Sequence, residues 1–191
     1  EPEKVEYLVE GKTEGERTYK IRGAFMEAER KNRNGRIYPK SVLEKEVSRY
    51  VKEEIAEGRS VSSLDHPPAP EVKLSDACHL ITDLKWDGNI VLGEARVLST
   101  PAGMTMRALM RDGVKTGVSS RCLGSLQNGY VGENLRLLAV DVVANASAYA
   151  STVVESIVEN FDFIISGNSI TQVAVEKFQQ DLAKNGQRKL V

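Results

Sequence analysis

Only two histidines, His66 and His79, occur in the 191 residues, and imidazole is the usual general base near neutral pH. Two serines stand in tandem, Ser119 and Ser120, within "GVSSR", and Asp141 interrupts the apolar run "LLAVDVVA". A hydroxyl becomes a nucleophile when a base takes its proton and donors wait for the oxyanion. Gly117 permits close backbone approach and Arg121 sets a cation beside the serines. The same five residues also suit a polar turn. They are not the G-x-S-x-G elbow of hydrolases, because Arg121 stands in place of the second glycine. A carboxylate on an apolar strand costs desolvation unless it has a partner; a histidine ring is one partner, and a solvent-facing side of the sheet is the other solution. His66 stands in "LDHPP", where the prolines fix the chain after it. That suits a ring held rigidly at a strand's end as well as one in a polar surface loop.

Other chemistries have less support. Cys78, His79, Cys122 and His66 are potential soft metal ligands, but neighbours on a strand point to opposite faces, so Cys78 and His79 are not expected to share an ion, and there is no C-x-x-C pair. No phosphate-binding loop and no dinucleotide glycine fingerprint occur, and no cofactor is expected. Charge is balanced, with Lys+Arg 26 against Asp+Glu 27, which argues against a nucleic acid or a membrane surface as partner. No apolar run is long enough to span a bilayer and none reads as a signal segment. Two cysteines in the chain fit a reducing, cytoplasmic setting.

The elements that must position these groups read as follows. Residues 1–17 are charged and aperiodic, an arm or edge strand. "TYKIRGAFMEAER" suggests a strand bent at Gly23, and Asn34-Gly35 a turn. Ser41 to Glu44 reads as a capping box that opens a helix, with Leu43, Val47, Tyr50, Val51 and Ile55 on one face and Gly58 closing it. A short strand at "SVSS" ends at the prolines. "ACHLITDLKW" and "IVLGEARVL" form a hairpin about Asp87-Gly88. Thr100-Pro101 starts a second helix that ends at Gly113. "GVSSRCL" and "LRLLAVDVVA" flank a turn at Asn128-Gly129, and residues 151–191 read as a helical tail. Strands that do not alternate regularly with helices imply an α+β domain on an antiparallel sheet or barrel.

Four blocks taken in order, "NRNGRIYP", "LDHPP", "GVSSRCLGS" and "AVDVVANAS", resemble the prohead core proteases of T4-like tailed bacteriophages, over roughly residues 21–147. The resemblance implies a herpesvirus-protease-like fold, an antiparallel β-barrel-like core with surrounding helices. It implies an arm at 1–17, a serine protease domain at 18–150 and a helical extension at 151–191. It also implies a serine endopeptidase that matures the procapsid by cutting scaffold and capsid proteins inside it, in the host cytoplasm, as a homo-oligomer. Carried over residue by residue, His66 is the base, Ser119 the nucleophile and Asp141 the acid, with Ser120 and Arg121 as oxyanion or auxiliary candidates. His79 rivals Asp141, because the herpesvirus enzymes use a second histidine. Cys122 departs from a usual glycine and Ala146 from a common proline. The family cuts after glutamate in [Leu/Ile]-x-Glu-[Ala/Gly]; this chain carries "LVEG", "IAEG" and "LGEA", of which the first, at Glu10-Gly11, is the expected self-processing site. Arg121 or Lys115 is the expected cation for the glutamate. The alternative is an inactive structural subunit of the same fold, like a tail tube.

Overall fold

The computed structural model describes residues 6–10, 18–32, 34–67, 69–144, 163–166 and 169–172. The chain divides into two units, Glu1–Ile157 and Val158–Val191. In the first, β1 (Glu6–Glu10), β2 (Thr18–Glu27), α1 (Lys40–Tyr50), β3 (Val61–Ser63), β4 (Ala77–Asp87), β5 (Ile90–Val97), α2 (Pro101–Arg111), β6 (Gly117–Leu123), β7 (Leu126–Gln127), β8 (Tyr130–Val131) and β9 (Arg136–Val143) follow in order. An antiparallel sheet runs β1-β2-β5-β4-β3, and β6 pairs with β9 in a second ladder.

The hairpin expected about Asp87-Gly88 joins β4 and β5, with Asp87 opposite Ile90. Strand β2 carries its extra residue at Phe25, not at Gly23. The reason is Gly93: a Cβ there would lie 2.2 Å from the Phe25 ring, so the bulge turns the ring onto the one partner position with no side chain. The Asn128-Gly129 turn links β7 to β8 with both residues at positive φ, 52° and 85°, the twist that a two-residue hairpin needs.

Helix α1 starts two residues earlier than a capping box at Ser41 implies, with Pro39 at the N-cap position, and Ser41 does not cap it. Pro39 holds the extended approach, its carbonyl accepts from the amides of Val42 and Leu43 at 3.1 and 3.0 Å, and the Glu29 carboxylate accepts from Lys40 N. These partners fill the role that Ser41 would have had. Past Tyr50 the helix widens to a π turn over Val51–Ile55. Helix α2 follows its sequence signals: Thr100 Oγ1 accepts from Gly103 N at 3.2 Å, with proline in the first turn.

The barrel expected from the resemblance is not closed among the described residues. Strand β3 is three residues long and prolines follow it, so it meets β9 only at the parallel bridge of Leu64 with Val142. Side chains complete the seam: Val140 N donates to Ser62 Oγ at 3.1 Å and His79 Nε2 donates to Val140 O at 2.8 Å. Ile21, Phe25, Leu43, Val91, Val118, Val140 and Val142 nevertheless share one core, so the fold is α+β with antiparallel sheets and two helices around a common interior.

In the second unit Phe163–Ser166 (β10) and Ser169–Gln172 (β11) pair antiparallel, Ser166 opposite Ser169. This corrects the helical reading there: aromatic and β-branched residues on either side of Gly167-Asn168 carry a hairpin signal that the helical periodicity obscured. The rest of 151–191 lies outside the described residues, as do 1–5 and 11–17. The N-terminal segment contributes β1, an edge strand that runs from Glu6 opposite Arg22 to Glu10 opposite Thr18.

Candidate active site

Register on the β6–β9 ladder places Ser119 directly opposite Asp141. Directly opposed residues point to the same face, and so does Arg121 two positions along β6. The Asp141 carboxylate collects four donors. Oδ1 accepts from Ser63 N at 2.8 Å and Arg121 Nη2 at 3.2 Å, and Oδ2 accepts from Arg121 Nε at 3.0 Å and His66 Nδ1 at 2.8 Å. Asp141 is fully buried and Ser119 and Arg121 are each 1% exposed, whereas the His66 side chain is 20% exposed. A buried carboxylate requires this kind of company: the guanidinium fork and the amide replace the water it lost. Because a carboxylate only accepts, His66 Nδ1 carries the proton, and Nε2 of the neutral ring is left as an acceptor.

The loop that brings His66 here is tied at both ends. Leaving β3, Asp65 takes a positive φ of 62°, a conformation that aspartate tolerates, and its N–H donates to Val142 O at 2.6 Å. Beyond His66 the chain returns over Arg121, whose Nη1 donates to the carbonyls of Ala69, Pro70 and Glu71 at 2.7, 3.2 and 3.4 Å. The loop therefore overlies the face that carries Ser119, Arg121 and Asp141.

The other sequence candidates go elsewhere. Ser120 is opposite Val140, so its side chain lies on the reverse face from Ser119, and its buried hydroxyl finds no partner among the described residues. His79 is fully buried and spends Nε2 on Val140 O. Burial lowers its proton affinity, while the Val140 carbonyl and, more weakly, Asp141 pull the other way. Asp141, not its rival His79, is the group bonded to the His66 ring. Each of the three guanidinium nitrogens of Arg121 is engaged with Asp141 or the loop. Lys115 is exposed between α2 and β6. Cys122 packs into the core, and Ala146 lies outside the described residues. No group of three His, Cys, Asp or Glu among the described residues is placed to share a metal ion, and no described helix is long and apolar enough to cross a membrane.

One buried charge that supports β9 escaped sequence reasoning. Glu46 is 5% exposed on the packed face of α1. It accepts from Leu137 N at 2.6 Å, while Arg49 bonds both Glu46 oxygens and donates to Leu137 O at 3.1 Å. Leu138 is the extra residue of a bulge on β9, and the helix side chains take up the backbone groups beside it. A glutamate between Leu43 and Val47 on an apolar face was the available signal.

A serine set against an aspartate that grips a histidine, on an antiparallel α+β frame, has the layout of a serine hydrolase. A family model described as prohead core protein serine protease matches residues 5–162, and the chain belongs to that family. It is similar to the prohead core protein protease of Enterobacteria phage T4, at 43% identity over 67% of this chain and 64% of the relative, so it spans a little under two thirds of that protein's length. Its fold is similar to the solved structure of the bacteriophage T4 capsid assembly protease, with a TM-score of 0.69 and 34% identity, covering 75% of this chain and 93% of the other.

Proposed function

We propose that this protein is a serine endopeptidase that matures a phage procapsid, cutting scaffold and capsid proteins after glutamate in [Leu/Ile]-x-Glu-[Ala/Gly] sequences. Ser119 Oγ attacks the peptide carbonyl, and His66 Nε2 takes its proton and returns it to the leaving amine. Asp141 fixes the ring's tautomer and stabilises the imidazolium that forms. The observation that carries the reading is Asp141, opposite Ser119 in the ladder and bonded to His66 Nδ1 at 2.8 Å. Family membership supports the reaction class.

Val140 directs its N–H and C=O away from β6, to Ser62 and His79, and residues paired in this way both face outward. Its partner Ser120 therefore turns its own amide away from β9, and we assign that N–H as an oxyanion donor. In this reading residues 18–150 form a herpesvirus-protease-like domain, 1–17 an arm and 151–191 an extension that docks to scaffold. The enzyme works as a homo-oligomer inside the procapsid. Self-processing is assigned to Glu10-Gly11, where the edge strand β1 ends. "IAEG" ends in the turn after the π segment Val51–Ile55 and "LGEA" lies in β5 at the sheet's centre, and peeling a terminal edge strand from one neighbour takes less local unfolding than opening either of these.

Incubation with a Leu-x-Glu-Ala peptide and labelling with a sulfonyl fluoride test the reading. Cleavage after glutamate and labelling, both abolished by Ser119→Ala, are expected; labelling that survives the substitution moves the nucleophile elsewhere. Absence of both in a chain that polymerises favours the tail-tube-like structural subunit. A new terminus at Gly11 is the readout for self-processing.

A further inference from the structure

Arg121 is the only described cation that bonds Asp141, and it is 1% exposed, bound on one side to that carboxylate and on the other to three successive loop carbonyls. Such a side chain is in the wrong place to meet a substrate's carboxylate. A guanidinium in the interior is retained only if its fork is filled, and here its three nitrogens already have acceptors within 3.5 Å. What it spans is informative. The carboxylate belongs to β9, the guanidinium to β6, and the carbonyls to the loop that delivers His66 to the same carboxylate. We propose that Arg121 is a positioning residue that clamps the 65–71 loop onto the β6–β9 ladder and so sets the His66 ring over Ser119, and that it does not read the glutamate of the substrate. The inference rests on the peptidase reading for its kinetic consequence but not for the clamp itself.

The prolines explain why a clamp is needed. Pro67 and Pro70 lack N–H groups, so this loop cannot be held by donating its own amides at those positions. Its carbonyls remain, and a buried planar donor is the group that captures several of them at once.

Peptides that differ only in Glu or Gln before the scissile bond, assayed with wild type, Arg121→Gln and Arg121→Lys, separate positioning from recognition. Positioning predicts that Arg121→Gln lowers kcat on both peptides by about 100-fold, the loss expected from a misplacement near 1 Å, with KM and the Glu-to-Gln preference ratio unchanged. Lysine, which keeps the charge but not the fork, should restore only part of kcat. A collapse of the preference ratio, with the Gln peptide cut as before, would overturn the proposal and make Arg121 the substrate reader. Hydrogen exchange in a Ser119→Ala background tests the clamp without catalysis. Amides of the 65–71 loop should exchange faster in Ser119→Ala/Arg121→Lys than in Ser119→Ala alone, and identical exchange overturns the clamp. If wild type cuts neither peptide, the peptidase reading fails while the exchange result still decides on Arg121.

Discussion

Strand β9 is gripped by two buried carboxylate–arginine forks built almost alike. At its start Glu46 accepts from Leu137 N and is held by Arg49; near its end Asp141 accepts from Ser63 N and is held by Arg121. Each couples a strand to another element, and each satisfies a charge that burial would otherwise destabilise. The difference lies in the fourth contact. Asp141 Oδ2 also receives a histidine proton, and the ladder sets a serine directly across. Glu46 turns instead toward the backbone of Leu137, with no hydroxyl across from it that register supplies. Buried charge and complete hydrogen bonding therefore do not mark a reactive site by themselves; what sets the Asp141 fork apart is the histidine it holds and the serine across the ladder, which in the proposed reading carry the proton.

Substitutions break the comparison in order of size. Ser119→Ala should lower kcat by about 10⁶-fold, the scale on which serine peptidases lose their nucleophile, with urea unfolding unchanged, as read by peptide hydrolysis and by circular dichroism. Asp141→Asn should lower kcat by about 10⁴-fold, because an amide presents an N–H to His66 Nδ1 and favours the wrong tautomer. Glu46→Gln should do the reverse of both. Arg49 keeps Glu53 at 2.9 Å and Glu54 at 3.5 Å, so the loss is about 2 kcal/mol of stability rather than the full cost of an orphaned charge, with kcat within about threefold of wild type. A Glu46→Gln enzyme that is stable but inactive would erase the distinction between the two forks.

The difference in role also decided what the sequence made visible. Asp141 stands out because a charge on an otherwise apolar strand needs either a partner or a solvent-facing side, and "LDHPP" suits a ring at a rigid strand's end as well as one in a surface loop; the fold decides both, with Asp141 fully buried and bonded to His66. Residue types alone leave Ser119 and Ser120 equivalent and the family resemblance chooses Ser119; the register of β6 on β9 is what sets Ser119, not Ser120, opposite Asp141. Arg121 looked like a substrate cation because a sequence shows charge and not its acceptors, and the loop carbonyls that consume it lie 50 to 52 residues away. The two helices were legible from periodicity and Thr100-Pro101, yet the cap of α1 was misread because Glu29, distant in sequence, took the place of Ser41. The closed barrel failed for a related reason: beside β3 the backbone meets β9 at one bridge, Leu64 with Val142, and the rest of the seam is made through the side chains of Ser62, Asp141 and His79, which no strand pattern encodes.

His79 lies between the two forks along β9, through its bond to Val140 O, and offers the smallest and most specific measurement. Burial lowers its proton affinity in the folded chain, whereas the unfolded chain has the ordinary value of about 6.5. As pH falls below that value the unfolded state takes up a proton that the folded state refuses, so stability is present above about 6.5 and declines beneath it, by at most about 1.4 kcal/mol per pH unit for one site. Glutamine keeps an N–H near the position of Nε2 and cannot titrate. Urea midpoints for wild type and His79→Gln should therefore run parallel at neutral pH and diverge in acid, with the variant flatter. Curves that stay parallel throughout would mean that the ring accepts its proton in place, at the Nδ1 atom that has no partner among the described residues. The seam beside Asp141 would then tolerate a charge, and the need for the Arg121 fork to balance the neighbouring carboxylate would have to be argued from the loop alone.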